Sequence, residues 1–236
     1  MTKTIGILGG MGPLATCDLF HKIIDITDAG CDQEHVCVCI DSNSAIADRT
    51  KAILEGGEDP VPEMVKSAVR LQSMGADVLI MPCNTAHYFY DRIVPFLDIP
   101  MLHMIRETVK TVRQRGLTKV GLLATDGTCR SGVYETAFHA EGIEMYVPSP
   151  ARQQAVMDVT YKGVKAGNLS IDLTGFYAAM DELFDQGAQT LILGCTELPV
   201  AFDLFHIDRP SIDPTMVLAA AAVCFVGANV KEDAGY

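Results

Sequence analysis

The sequence predicts an α/β fold built from two similar Rossmann-like domains with parallel sheets, and three observations support this prediction. Short runs rich in β-branched residues alternate with helical patterns of about 10–15 residues, which is typical of βαβ units. The short runs are apolar throughout, as in strands that helices cover on both faces. One segment of the 236-residue chain also recurs in its second half.

The predicted strands follow from β-branched composition and from the turn residues that bound each run. They are Thr4–Leu8, Val36–Asp41, Asp77–Met81, Pro100–Met104, Lys119–Ala124, Ile143–Val147 and Thr190–Leu193. Apolar residues recur at helical spacing from Met64 to Gln72 and again from Leu173 to Phe184. Gly75 and Gly187 follow these two stretches, and glycine commonly ends a helix.

The repeat aligns Gly75–Thr85 with Gly187–Glu197, so that Cys83 matches Cys195, 112 residues later. Thr4–Leu8 aligns with Lys119–Leu123 at nearly the same offset. Two matches at nearly the same offset predict that the chain consists of two similar halves. We assign residues 1–100 and 211–236 to the first domain and 101–210 to the second, with the helix from Pro214 packing on the first. A pseudo-twofold relation would then place the active site in a cleft between them.

The charge balance excludes some classes of partner. Lys and Arg number 18 against 30 Asp and Glu, a net charge of −12, which disfavours nucleic acid and anionic membranes. The start of the chain does not have the pattern of a secretory signal, and no run of about 18 apolar residues suggests a membrane span. The eight cysteines are therefore expected to be reduced thiols in a cytoplasmic protein.

Four potential metal ligands, Cys31, His35, Cys37 and Cys39, cluster in the sequence. Cys37 and Cys39 fall within a segment that we interpret as a buried strand, where they would be small core residues. Their spacing also differs from the Cys-x2-Cys pattern of zinc sites. We predict no metal site.

Cys83 and Cys195 each follow a predicted strand and precede a turn into a helix. Open parallel sheets bind ligands beyond the carboxyl ends of their strands, and a helix N-terminus lowers the pKa of a thiol. Two facing thiols suit the inversion of a stereocentre, because one removes a proton while the other delivers one to the opposite face. Sulfur atoms roughly 7 Å apart would leave room for the reacting carbon. The alternative is two buried cysteines placed alike by common ancestry of the halves.

Three segments carry a family resemblance: Gly6–Thr16, Met81–His87 and Gly194–Glu197. Together they resemble the cofactor-independent aspartate/glutamate racemases, on the aspartate-racemase side. The similarity extends through segments at 47–55, 121–128 and 161–168 and covers most of the chain. The resemblance implies two Rossmann-like halves, no pyridoxal phosphate or other cofactor, a dicarboxylic amino acid as substrate and a homodimer.

The resemblance also implies roles for individual residues. Cys83 and Cys195 match the two proton-transfer cysteines, with Cys83 acting on the D-enantiomer and Cys195 on the L-enantiomer. The positions expected to contact substrate are Met11, Arg49, Asn84, Thr85, Ala86, Thr128, Tyr161, Lys165, Thr196 and Glu197.

The residue types agree with several of these roles. The planar guanidinium of Arg49 suits a carboxylate, and Tyr161 and Lys165 would share one face of a helix. Thr125 and Thr128 precede a helix expected at Ser131, where they would bind a carboxylate or cap the helix.

Two further interpretations concern neighbours of the cysteines. Glu197 would either tune Cys195 as a nearby base or cap the following helix. We interpret His87 and His103 as packed or capping histidines and not as bases.

Other functions fit parts of the sequence. Gly10–Ala15 follows a strand and matches a dinucleotide-binding pattern, but Asp41 lies too far beyond it. Hydantoin racemases and maleate isomerases belong to the same wider group as the resembled family. A non-catalytic amino-acid-binding protein is a third class.

Overall fold

A computed structural model describes residues 3–232, which divide into two compact units. Unit 1 comprises the described residues up to Glu107 and those from Thr215, and unit 2 comprises Thr108–Pro214. Each unit holds its own sheet, and every pairing between named strands in the described chain is parallel. The fold class predicted from sequence is therefore confirmed.

Unit 1 contains a three-stranded sheet in the order β2-β1-β3, formed by β1 (Thr4–Gly9), β2 (Cys37–Ser42) and β3 (Val78–Ile80). The helices are α1 (Pro13–Ile26), α2 (Arg49–Leu54), α3 (Val61–Ser73), α4 (Tyr90–Ile93), the first turn of α5 (Met104–Gln114), and α11 (Pro214–Phe225) from its second residue. Short 3-10 helices occupy Asp32–Glu34, Thr85–Phe89 and Val94–Phe96.

Unit 2 contains a four-stranded sheet in the order β5-β4-β6-β7, formed by β4 (Lys119–Ala124), β5 (Glu144–Tyr146), β6 (Thr190–Gly194) and β7 (Ser211–Ile212). Its helices after α5 are α6 (Asp126–Ser131), α7 (Val133–Ala140), α8 (Pro150–Asp158), α9 (Thr174–Asp185) and α10 (Glu197–Leu204). A π-helical turn, Val159–Val164, continues directly from α8.

The internal repeat is visible in the local hydrogen bonding of each unit. In unit 1 the backbone N–H of Leu79 donates to Pro100, and in unit 2 that of Leu191 donates to Pro210, both at 2.9 Å. Gly75 and Gly187, which follow α3 and α9, adopt φ values of 94° and 105°. Only glycine takes that conformation without strain, so the same residue type ends the helix in both halves.

The first strand of each repeat also carries an equivalent glycine. A Cβ built on Gly6 would meet Leu79 Cδ2 at 2.6 Å and Ala76 Cβ at 2.9 Å. A Cβ built on Gly121 would meet Leu183 Cβ at 3.0 Å and Leu191 Cδ2 at 3.1 Å. An added side chain would press on the neighbouring strand and on the segment after α3 at Gly6, and on a helix and the neighbouring strand at Gly121, so both positions favour glycine.

Two predicted strands need correction. Pro100–Met104 is not a strand: it makes one isolated parallel bridge, between Met101 and Leu79, and α5 begins at Met104. The β2 strand exists but is not buried, because it lies at the edge of its sheet and Cys37 is exposed. The interpretation of Cys37 as a core residue is therefore wrong, whereas Cys39 is partly buried.

The helix predicted from Pro214 packs within unit 1, as expected. Leu218, Ala219, Ala222 and Val223 of α11 share a buried cluster with Ile5, Ile7, Leu19 and Ile23 of β1 and α1. A late segment of the chain therefore completes the buried core beside β1 and α1.

Candidate active site

Cys83 lies three residues beyond β3, in a tight turn. Its backbone N–H donates to Met81 at 2.9 Å, and the side chain is 7% exposed. The thiol belongs to a buried cluster with Leu8, Met11 and Ile46. A 3-10 helix and not an α-helix follows, beginning at Thr85. The turn therefore places a nearly buried thiol at the carboxyl end of the unit 1 sheet, where parallel sheets bind ligands.

His87 joins this turn to the start of α5. Its Nδ1 lies 2.8 Å from the Cys83 carbonyl oxygen, and the backbone N–H of Met104 donates to its Nε2 at 3.1 Å. The ring is buried, and burial lowers the pKa of His87 to about 4. The prediction that His87 is a packed or capping histidine is confirmed, because the ring is both buried and bonded to the first N–H of α5.

Arg49, the first residue of α2, presents a guanidinium beside the first glycine-rich turn. It donates to the carbonyl oxygens of Ile46, Ala47 and Met11 at 3.3, 3.0 and 3.5 Å. Its Nε is buried without a hydrogen-bond partner, and no carboxylate within residues 3–232 pairs with the side chain. A buried N–H without a partner costs free energy, so this cation is suited to receive a carboxylate.

The remaining predicted residues of unit 1 lie around the same turn. Asn84 and Ala86 are buried and Thr85 is partly exposed, while Met11 and Ala86 pack in the same cluster as Cys83. Unit 1 thus brings together all of its sequence-predicted site residues: Met11, Arg49, Cys83, Asn84, Thr85 and Ala86.

Cys195 follows β6 directly, and a hydrogen bond made by its own thiol fixes its side chain. The thiol donates to Glu197 Oε2 at 2.8 Å, and Thr196 Oγ1 donates to the same oxygen at 3.2 Å. The other carboxylate oxygen, Oε1, pairs with Lys165 Nζ at 3.4 Å. Glu197 therefore links the thiol to a cation. The N-terminus of α10 has no side-chain cap, so Glu197 contacts the thiol and not the helix end, and its tuning of Cys195 stays a prediction.

This arrangement reverses one expectation about Cys195. Burial, then the charge of Glu197 and its hydrogen bond, raise the pKa of the Cys195 thiol well above its ordinary value. The backbone N–H of Glu197 and the Lys165 ammonium lower it, but by less. The predicted lowering by a helix N-terminus is therefore wrong for this residue, and Cys195 is held as a neutral thiol.

Tyr161 and Lys165 do meet, although not on an α-helix. The backbone N–H of Lys165 donates to Thr160, five residues earlier, across the π-helical turn. Lys165 Nζ lies 4.3 Å from the centroid of the Tyr161 ring. Such turns often occur at functional sites, and this one aims the ammonium at Glu197.

Thr125 and Thr128 lie at the carboxyl end of β4, next to β6. Ala124 pairs with Gly194, so Thr125 and Cys195 follow adjacent strand ends. The two threonine hydroxyls are 3.3 Å apart and buried. The helix here begins at Asp126 and not at Ser131, so Thr128 lies inside α6.

Sequence reasoning missed Tyr134, a fully buried tyrosine of α7. Burial, then the charges of Asp213 and Cys195, raise the pKa of its phenol. Its place near Cys195 comes from the packing of α7, which no local sequence pattern signals.

A separate cleft of about 300 Å³ in unit 2 is lined by residues that include Asp126, Cys129 and Gln153. It contains none of the predicted site residues. Burial and the charge of Asp126 raise the pKa of Cys129 to about 12, so this thiol is a poor nucleophile.

Within residues 3–232, no group of three or more His, Cys, Asp or Glu side chains is arranged to hold a metal ion. None of the helices in that range is both long and apolar enough to cross a membrane. All eight cysteines lie in this part of the chain and are free thiols.

Comparison with known proteins defines the class. Residues 8–222 match the family described as Asp/Glu/Hydantoin racemase. The chain belongs to this racemase family and is therefore an isomerase, as the sequence predicted.

Individual relatives agree over nearly the whole chain. The Broad specificity amino-acid racemase RacX of Bacillus subtilis is 30% identical over 232 residues, covering 93% of this chain and 96% of that protein. Picrophilus torridus aspartate racemase is 31% identical with a TM-score of 0.87, covering 98% and 97% of the two chains. Glutamate racemase from Francisella tularensis, solved with D-glutamate, shares the fold at 18% identity and a TM-score of 0.69, covering 95% of this chain and 81% of that one.

Proposed function

We propose that the protein interconverts L- and D-aspartate, with glutamate as the second candidate substrate, by proton transfer between two thiols and without pyridoxal phosphate. One observation carries the proposal: Cys83 and Cys195 occupy equivalent, nearly buried positions at the carboxyl ends of equivalent strands. In this mechanism one thiolate removes the Cα proton and the other thiol delivers a proton to the opposite face.

The unit 1 residues supply the carboxylate side of the proposed site. The guanidinium of Arg49 has no carboxylate partner in the described chain and keeps one buried N–H unsatisfied. A substrate carboxylate would satisfy that N–H and neutralise the charge. Placing a cation there also stabilises the charge that develops when Cα loses its proton.

The unit 2 residues supply a proton donor. Cys195 rests as a thiol whose hydrogen bond to Glu197 fixes the direction of its proton. In the direction that forms the L-enantiomer, Cys195 would then act as the acid and Cys83 as the base. Lys165 would contact the substrate from beside Tyr161, while remaining within reach of Glu197.

Incubation with L-aspartate in D2O without added cofactor tests the proposal. We expect deuterium at Cα by NMR while optical activity decays to zero. A parallel series with glutamate and with neutral and basic amino acids defines the substrate range. Binding of aspartate without exchange would instead favour an amino-acid-binding protein. Isomerisation of hydantoins or maleate would assign the chain to one of the other reactions considered. Light scattering would test the homodimer expected from the resemblance.

A further inference from the structure

His87 is a buried titratable residue that the proposed chemistry does not use. Its ring is buried in unit 1 and contacts two polar groups of the backbone, one on each ring nitrogen. The Cys83 carbonyl can only accept a hydrogen bond, so Nδ1 must carry the proton. The Met104 N–H can only donate, so Nε2 must be unprotonated. One neutral tautomer therefore satisfies both contacts at once.

The neighbouring residues keep the imidazole in that state and orientation. The His103 ring lies 4.8 Å from the His87 ring, and Tyr90 stacks parallel to it at 6.5 Å. The charge of Arg106 adds to burial in disfavouring protonation of His87. The Tyr90 hydroxyl donates to Met101 at 2.7 Å, which fixes the tyrosine against the same connection.

From this geometry we infer that His87 is a positioning residue, which fixes the thiol of Cys83 by holding its carbonyl against the first turn of α5. The inference rests on the proposed function of Cys83 as a proton-transfer residue. The backbone N–H of Cys83 donates only two residues back, to Met81, so the carbonyl side of this residue is held by the imidazole of His87. Losing the imidazole bond would let the peptide rotate and move the sulfur. A displacement of about 1 Å at a reacting group can lower a rate about 100-fold.

Two substitutions separate the contacts of His87. In His87→Asn the side-chain amide nitrogen reaches the place of Nδ1 and retains the bond to the Cys83 carbonyl. In His87→Gln the amide oxygen reaches the place of Nε2 and retains the bond from Met104. The exposed histidine His21 on α1 provides matched controls, His21→Asn and His21→Gln.

We expect His87→Gln to lower kcat by about 10- to 100-fold with a much smaller change in KM, since Arg49, on a separate helix, still receives the substrate carboxylate. His87→Asn should keep most of the kcat but lower the melting temperature, because α5 loses its cap. The two His21 variants should match the parent protein. Equal kcat in all variants, or equal losses in both His87 variants, would overturn the inference.

A second readout does not depend on racemase activity. Alkylation by iodoacetamide, resolved by peptide mass spectrometry, measures the accessibility and orientation of each thiol in the ligand-free protein. His87→Gln should change the Cys83 rate at least about threefold while the Cys195 rate stays constant, and His87→Asn should change neither. If the parent protein showed no isomerisation, the proposed function would fail, but the Cys83 alkylation rate would still test the positioning role of His87. An unchanged Cys83 rate in His87→Gln would refute the positioning role.

Discussion

The two strand ends that carry Cys83 and Cys195 share a backbone arrangement, but the residues that restrain the two cysteines differ. In unit 1 a neutral histidine holds the Cys83 carbonyl, and the nearby cation, Arg49, has no carboxylate partner in the described chain. In unit 2 a carboxylate holds the Cys195 thiol itself and is already paired with Lys165. The repeat therefore preserved the positions of the strands and turns while the electrostatic surroundings diverged.

This difference matters for a reaction that runs in both directions between mirror-image substrates. A pair of thiols with identical surroundings would have the same proton affinity in the ligand-free protein. Here the Cys195 proton is held by burial and by Glu197. In the proposed mechanism Cys195 therefore starts as the proton donor, although the overall equilibrium constant between enantiomers must be one.

The largest expected effect comes from removing either thiol. Cys83→Ser and Cys195→Ser should each reduce racemisation by about 10²–10⁴-fold, because each removes one proton-transfer group. Exchange without inversion should persist on one enantiomer: L-aspartate for Cys83→Ser and D-aspartate for Cys195→Ser. NMR of Cα deuterium in D2O measures both. Cys129→Ser is the matched control, and full racemisation in either active-site variant would contradict the two-thiol mechanism.

A smaller effect should follow from removing the charge beside Cys195. Glu197→Gln preserves a hydrogen-bond acceptor but removes the anion that raises the pKa of the thiol. Alkylation of Cys195 at pH 8 should therefore become faster, while Cys83 in the same sample serves as the control. We expect kcat to fall about tenfold, because the Cys195 S–H group is no longer oriented by the carboxylate. Unchanged alkylation across pH 7–10 would show that burial alone sets this pKa.

Acid should destabilise unit 1 through His87, which is buried, and His103, which is partly buried. Burial lowers the pKa of His87 to about 4 and that of His103 to about 3. Their contribution to stability is fully present above the unfolded pKa of about 6.5 and is lost as pH falls towards these folded values. Urea unfolding between pH 7 and pH 4 should show a smaller loss in His87→Gln than in the parent protein. His21→Gln, at an exposed site, should lose stability with falling pH as the parent protein does. The same loss in His87→Gln would be inconsistent with a buried neutral ring.

Substitution of the equivalent glycines, Gly6 and Gly121, tests the backbone arrangement that the two units share. Gly6→Ala and Gly121→Ala should each lower the free energy of unfolding by about 1–3 kcal/mol, because the added methyl overpacks the strand against the residues that contact it. The loss should be larger for Gly6, whose built Cβ meets Ala76 Cβ at 2.9 Å and Leu79 Cδ2 at 2.6 Å. Denaturant unfolding measures both. A stabilising alanine at either site would indicate that the strand and helix can separate easily.

Much of the fold could be predicted from the sequence because its signals are local. Apolar runs bounded by turn residues located six of the seven strands found in residues 3–232, and Gly75 and Gly187 located the ends of α3 and α9. The failures also have physical causes. Pro100 and Pro210 occupy equivalent places, but Ser211 and Ile212 form a two-residue strand while Met101 makes a single bridge. Such short pairings depend on the neighbouring strand and leave little pattern.

The candidate site could be predicted residue by residue but not as a network. Resemblance pointed to Lys165 and Glu197, yet their ion pair spans 32 positions and depends on a π-helical turn. The spacing of Tyr161 and Lys165 predicts the same face of an α-helix, and the extra residue in the turn changes the direction of the ammonium. The raised pKa of Cys195 arises from burial and from this network, and neither can be predicted from the position of a cysteine at a strand end.

The return of α11 to unit 1 has a consequence for how the chain folds during synthesis. Leu218, Ala219 and Val223 complete the core around β1, yet they are translated only after all of unit 2. All of Thr108–Pro214 therefore leaves the ribosome before α11 does, while the earlier strands of unit 1 still lack part of their core. An incomplete unit 1 would therefore expose apolar side chains of β1 and α1 while more than 100 further residues are synthesised, a condition that favours aggregation.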